Sequence, residues 1–371
     1  MKIRVLHVID HLGYGGAPFV VKNIAERIDA GRIETFVCAL RTNPEALPIK
    51  TTLINLGYPK YNPFVFFAIA GLCREHKIDI VHAHLQKSII SCLLASFFCD
   101  ARIIVHEHGP IFRGGTGLIF RLLLRVLVSR ATLAIANSQA AKTALVRRAG
   151  FDEGSIRIVS NFIDLAQLDR RLYDRNKARE ALGIAGDSIV VGFVGRLDPC
   201  KGADLLVNAA AILCKDDNRY RFVIVGEGAQ RRRLQELTVR LGLREKIVFT
   251  GLCRNTAEVM IAFDVAVVPS RREAFGIAAV EMMLMRIPVI ASAVGGLVEV
   301  VRHGETGILL DELSPNAIAY AVDKLARDGS LRESLADKAE EFSRKFDGRE
   351  QLKQLTEIYE EYARRRANPI Q

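Results

Sequence analysis

The chain contains no tryptophan, and aromatic residues make up only 7% of its 371 positions. Little material is left for the stacking surfaces with which proteins grip single-stranded nucleic acid. Its seven cysteines, Cys38, Cys73, Cys92, Cys99, Cys200, Cys214 and Cys253, are odd in number and never spaced C-x-x-C, which argues against a disulfide framework or a cysteine zinc site. No D-x-D triplet occurs anywhere. The longest apolar stretches, 88–99 and 117–128, fall short of the ~18 uninterrupted residues that a spanning helix needs. Residues 1–10 alternate basic and apolar positions without the ordered regions of an export signal. These absences lead us to expect a cytoplasmic protein that is not integral to a membrane.

What is present is a long, apolar-rich chain: half of it hydrophobic and a quarter charged, enough for two α/β domains with substantial cores. The formal net charge of +10 is unevenly placed. Residues 1–185 hold 25 Lys and Arg against 15 Asp and Glu, whereas residues 186–371 hold 27 of each sign. The excess in the first half points to an anionic partner, such as a membrane surface or a phosphorylated acceptor, or else is only a solvated basic face. No recognised nucleic-acid motif accompanies the charge, so we expect no nucleic-acid partner.

Short Val/Ile-rich runs alternate with amphipathic stretches, the pattern of βαβ units around a parallel sheet. Strands are predicted at 3–9, 35–40, 78–82, 102–106 and 132–136, then at 189–194, 221–225, 246–249, 265–268 and 288–291. The charged segment at 170–180 interrupts the rhythm. We therefore expect an acceptor domain over 1–165, a linker over 166–186, a nucleotide domain over 187–345, and a carboxy-terminal helix over 346–371 that crosses back to the first domain. Two doubly wound sheets with their strand ends facing a central cleft would bind ligands there.

Three loops of the second half carry the functional signal. The strand at 189–194 runs into Gly195, Arg196, Leu197, Asp198, Pro199, Cys200, Lys201 and Gly202, placing a guanidinium and an ammonium where a diphosphate could be neutralised. An ordinary loop with two solvated cations would read the same. Gly226, Glu227 and Gly228 follow the next strand, either as a nucleotide wall or as a tight turn. Most specific is the run from Pro269 to Glu281, in which Phe275 and Gly276 open the helix that carries Glu281. Free N–H groups and the positive dipole end make such a helix start an anion site. Glu273 stands before it and Glu281 two turns inside, among apolar neighbours where an unpaired carboxylate is costly.

With this E-x7-E element the chain resembles the family-4 retaining glycosyltransferases of the GT-B fold. The resemblance also includes the Gly15-Gly16 loop, Asn161 to Asp164, Pro288-Val289-Ile290, and Gly295-Gly296 with Glu299. It implies an α/β, two-Rossmann-domain enzyme of metal-independent chemistry, needing no cofactor. A nucleoside diphosphate sugar would be the donor and a saccharide or lipid-linked hydroxyl the acceptor. Arg196 and Lys201 would neutralise the diphosphate, Glu273 would hold donor-sugar hydroxyls, Glu281 the ribose, and the amides around Phe275, Gly276 and Ile277 the phosphates. The chain departs from the pattern at Arg286, where the family usually has glycine, which puts the local turn in question.

In the first half, His11 to Ala17 with Gly13, Gly15 and Gly16 leads into a helix near Pro18, without the dinucleotide G-x-G-x-x-G spacing. His82, His84, His106 and His108 fall at strand ends. A metal site there would need a carboxylate such as Glu107; rim residues explain the pattern equally well, and we expect no metal. His108-Gly109 matches the family's position near the transferred sugar, which implies a contact from His108 to donor sugar or acceptor, with His106 a weaker candidate. The stretch 112–130 interleaves Arg113, Arg121, Arg125 and Arg130 with apolar residues, as a headgroup-lying helix or a core-facing one would. We expect peripheral membrane contact through it. Competing readings are a sugar-nucleotide epimerase on the same plan, which turns over donor without acceptor, and a catalytically silent nucleotide-binding relative.

Overall fold

The structure, a computed structural model, describes residues 2–43, 45–59, 62–109 and 125–367. The chain divides into two compact units, one of residues 1–162 with 348–371 and one of residues 163–347.

In unit 1 the described strands are β1 (Ile3–Ile9), β2 (Ile33–Ala39), β3 (Thr52–Asn55), β4 (Ile80–His84), β5 (Arg102–Glu107), β6 (Leu133–Ala136) and β7 (Ile156–Ile158). They form a wholly parallel sheet in the order β3-β2-β1-β4-β5-β6-β7. Helices cover both faces, so β1, β4, β5 and β6 are buried along nearly their whole length instead of at alternate residues. Leu6, Val8, Val81, Ala83, Ile103 and Val105 pack one face. Ile9, Val37 and Ala39 pack the other, against Val21 and Ala25 of the helix Gly16–Arg27. The helix Arg349–Ala367 completes this unit, with Tyr359 fully buried and Glu360 paired to Arg32 at 3.1 Å. β3 and β7 were not foreseen. Both are edge strands of three or four mostly exposed residues, so neither carries an apolar run.

In unit 2 the strands are β8 (Ile189–Val194), β9 (Tyr220–Val225), β10 (Ile247–Gly251), β11 (Val265–Val268), β12 (Val289–Ser292) and β13 (Gly307–Leu310). Their parallel order is β10-β9-β8-β11-β12-β13. Both units therefore have the doubly wound plan of the GT-B class, with a switch point where the chain leaves the first strand of the unit in opposite directions: β1/β4 and β8/β11.

Residues 166–186, expected as a linker, lie within unit 2. Their helix Arg175–Ala181 is pinned by Arg175 and Arg179, whose guanidinium groups donate to the two oxygens of Asp264 at 2.5 and 2.7 Å. Asp264 also accepts the Val190 N–H at 2.8 Å, so one carboxylate ties this helix to the start of the sheet. The helical tail is divided into Pro315–Arg327, Gly329–Ser343 and Arg349–Ala367, the second capped by the Asp328 carboxylate. Among the described residues no helix is long and apolar enough to cross a membrane. Arg113 and Arg121 of the basic stretch lie outside the described residues. Arg130 lies over the Phe97 ring, 4.8 Å from its centre, and donates to the Ser96 carbonyl.

Candidate functional sites in the two units

In unit 2 the residues singled out in the sequence gather at the β8/β11 switch point. The loop after β8 is stitched to its neighbours by backbone bonds: Gly195 N–H to Val225 O, Leu197 N–H to Glu227 O and Arg271 N–H to Cys200 O. Asp198 caps the single turn Pro199–Lys201 by accepting the Cys200 N–H. Gly202 follows at φ 72°, and a Cβ there would sit 1.9 Å from the Pro269 carbonyl oxygen. Only glycine lets the β8 and β11 loops approach this closely. Arg271 reinforces the seam with a two-pronged pair to Asp204 at 2.7 and 2.8 Å.

The result is a contact between residues 72 apart in sequence: Lys201 Nζ donates to Glu273 Oε2 at 2.6 Å. Ser270 Oγ donates to the same oxygen at 3.2 Å. Glu273 is held from behind by the loop after β12, where the Gly296 N–H donates to its carbonyl and a Cβ on Gly295 would fall 1.8 Å from that oxygen. Arg196 is largely in solvent, its side chain 68% exposed and 3.6 Å from Asp198. Glu227 carries an ion pair with Arg231 one turn further on. Gly226, read as a wall for a ligand or a tight turn, packs against another loop: its Cβ would meet the Gly195 carbonyl oxygen at 2.0 Å.

The helix Ile277–Leu284 begins at Gly276, and no side chain caps it. Glu273, the residue that could have capped it, is turned to Lys201 instead. The first amides of this helix and the dipole behind them remain an anion-favouring point. Glu281 is half-buried one helix face along, and burial pushes its carboxyl up to about 7. Arg286 closes the helix in a left-handed conformation at φ 60°, the geometry that a glycine adopts freely, and pairs with Asp337.

In unit 1, Gly15 is the N-cap of Gly16–Arg27, again with no side-chain cap. The helix thus starts at Gly16, two residues before Pro18. Gly13 is packed differently: a Cβ there would meet Asn43 Nδ2 at 2.4 Å.

The histidines come together, and a fifth joins them. In the parallel register His7 stands beside His82, and His84 beside His106. Imidazoles on one face of adjacent strands consequently stack, with ring centres 5.3 Å apart for His82 and His106 and 5.4 Å for His7 and His84. His7 Nδ1 lies 3.1 Å from His84 Nε2, and His84 Nδ1 lies 3.0 Å from His108 Nε2. His82 Nδ1 lies 2.6 Å from the Tyr359 hydroxyl. Burial pushes His7 down to about 3 and His82, His84 and His106 well below the usual imidazole range. It pushes His108 down to about 4, with Asn161 pulling the other way. All five rings are therefore neutral at pH 7. Glu107 lies on the opposite face of β5 by strand alternation. Burial pushes its carboxyl up to about 7, opposed by the amides of Gly109 and His108. His7 and Tyr359 were missed from sequence; the only available signal was that His7 occupies a core-strand position.

The family model for glycosyl transferases group 1 matches residues 174–342, and that for Glycosyltransferase Family 4 matches residues 14–167. The chain is 34% identical over 191 residues to an uncharacterized glycosyltransferase of Methanocaldococcus jannaschii, covering 50% of this chain and 49% of that protein. It is 34% identical over 240 residues to a D-inositol 3-phosphate glycosyltransferase of Thermomonospora curvata, covering 61% and 56%. The chain thus spans about half the length of the curated relatives it matches. Among solved structures, HepE of Anabaena in complex with UDP-glucose superposes with a TM-score of 0.82 at 25% identity, covering 97% of this chain and 100% of that one. A glycosyltransferase of Rickettsia africae superposes with a TM-score of 0.82 at 22% identity, covering 97% and 98%. Together the two models account for most of both units, and the chain belongs to the group 1, family-4 glycosyltransferases.

Proposed function

We propose that the protein transfers a glycosyl group from a nucleoside diphosphate sugar to a hydroxyl acceptor, with retention of anomeric configuration. The observation that carries this reading is the Lys201–Glu273 pair beside an uncapped helix start at the switch point of unit 2. In the reaction the bond from the anomeric carbon to the diphosphate breaks and negative charge grows on the leaving group. Lys201, Arg196 and the first amides of Ile277–Leu284 meet that charge as it develops, the kind of preorganised stabilisation that most lowers a barrier. These groups do the work of a metal ion, so the chemistry needs none. Glu273 exchanges its ammonium partner for sugar hydroxyls once Lys201 turns to phosphate, and Glu281 accepts from the ribose. His108 contacts the transferred sugar or the acceptor.

The UDP-glucose bound by HepE supports a UDP-sugar as the donor to test first. The acceptor is a saccharide, free or lipid-linked, in cell-surface polysaccharide synthesis. The charge excess of the first half and the inositol phosphate in the names of several relatives both favour an anionic one. The protein works in the cytoplasm, in peripheral contact with the membrane through unit 1. Calorimetry with UDP, GDP, ADP and dTDP tests the reading at its root. A heat of association with at least one nucleotide, diminished in Lys201→Ala, is expected; silence with all four overturns it. Turnover of a nucleotide sugar without any acceptor would favour an epimerase.

A further inference from the structure

The imidazole cluster of unit 1 is larger than a contact to one sugar requires. Burying a polar ring nitrogen without a partner forfeits its hydration with no compensating bond. His106 is 2% exposed, and among the described residues neither of its ring nitrogens has a hydrogen-bond partner. His84 and His108 flank it, and one nitrogen from each of the three lies within 4.8 Å of the others. We infer that His84, His106 and His108 form a binding site for a divalent transition-metal ion.

The spacing suits coordination. Two nitrogens each about 2.0–2.1 Å from one ion stand about 2.9 Å apart at a right angle and about 3.4 Å apart at a tetrahedral one. His84 Nδ1 and His108 Nε2 are already 3.0 Å apart. An ion between them needs only a small opening, and His106 closes the third side. His84 is also oriented from behind. Its Nε2, 3.1 Å from His7 Nδ1, donates to that ring when Nδ1 keeps its lone pair for a metal, the outer-shell bond that metal-ligating histidines usually have.

Three neutral imidazoles with no carboxylate or thiolate select Zn2+, Co2+, Ni2+ or Cu2+ over Mg2+ or Ca2+, which prefer oxygen. A second grouping, His7, His82 and His84, has the same reach. It is fully buried, and His82 Nδ1 is engaged by Tyr359, so water could not complete the shell of an ion there. His108 is half-buried and leaves the outer group an open side. His84 belongs to both groups, so only one ion binds. That ion takes up His108 Nε2. Provided the proposed role of His108 is right, metal binding therefore inhibits transfer and a chelator restores it.

The test uses the full chain, stripped with chelator and titrated with Co2+. One equivalent should give visible d–d bands that Mg2+ does not produce. His106→Ala should abolish them, and His303→Ala, a histidine at the surface of unit 2, should leave them unchanged. X-ray absorption on the unsubstituted Zn2+-loaded protein should show at least two imidazoles and no sulfur, a result that does not depend on any variant folding. Absence of stoichiometric Co2+ uptake, bands that survive in a folded His106→Ala protein, or a zinc shell with sulfur or fewer than two imidazoles overturns the site. Zn2+ binding without chelator-reversible inhibition overturns the consequence drawn for His108. Loss of nucleotide heat in the unloaded protein would defeat the proposed function instead and leave the metal titration standing.

Discussion

Lys201 Nζ lies 2.6 Å from Glu273 Oε2, so the ammonium expected to neutralise a diphosphate is held by the carboxylate expected to hold its sugar. The pair is mostly shielded from solvent, with side chains 27% and 12% exposed, and it keeps both groups positioned until a ligand separates them. A substrate with both phosphate and hydroxyls satisfies the two partners at once. A simple anion satisfies only one and leaves the carboxylate unpaired.

Lys201→Ala should therefore lower kcat by about 10²–10³, the loss typical of one electrostatic donor at a reacting centre. Arg196→Ala should have a comparable effect if the exposed guanidinium folds onto the phosphates when donor binds. Steady-state turnover at saturating donor decides it. Rates within a factor of three of the parent in both variants would remove these residues from the mechanism.

Nucleotide binding is expected to depend on pH through Glu281. Its carboxyl is pushed up from 4.5 to about 7 by burial, so between these values the folded protein keeps a proton that the unfolded chain has lost. Stability should thus decline as pH rises through that window and level off above about 7. Ribose hydroxyls donate to the ionised form. Nucleotide affinity should then weaken by up to about tenfold per pH unit below 7, with proton release on binding. Calorimetry in two buffers of different ionisation enthalpy measures that proton. Glu281→Gln should bind more weakly, without the pH slope; an unchanged slope contradicts the assignment.

Asp264→Ala should destabilise unit 2 by about 3–5 kcal/mol, because it strands the buried Arg179 guanidinium and frees the helix Arg175–Ala181 from the sheet. Denaturant unfolding reads the change. A loss under 1 kcal/mol would mean that the carbonyls of Ala262, Gly186 and Ser188 suffice for Arg179.

Arg286→Gly should raise stability by about 1 kcal/mol, since a side chain at φ 60° bears strain that glycine does not. The exposed pair with Asp337 contributes little against this. A lower melting temperature in the variant would show that the pair outweighs the strain.

Strands with apolar runs, such as β1, β8 and β11, were legible because burial on both faces demands Val, Ile and Leu at successive positions. β3, β7 and β13 were not, since three or four residues at or near a sheet edge need no such run. Arg286 was legible as an anomaly, and the structure shows the anomaly to be a left-handed backbone. Gly226, after β9, reads in the sequence as a nucleotide wall or a tight turn, and Gly295, after β12, only as part of the family resemblance. Both let one loop lie on the backbone of another, a role that spacing along the chain does not encode.

Two parallel α/β units, the anion-favouring helix start and the identities of Lys201, Glu273 and Glu281 were determined by sequence alone, because local periodicity and residue chemistry specify them. That Lys201 meets Glu273, that Asp264 gathers two arginines, and that His7, His84, His106 and His108 share one face was decided only by tertiary structure. Each of those relationships joins residues from separate elements, whose placement follows from the order and register of the strands and the packing of the whole unit.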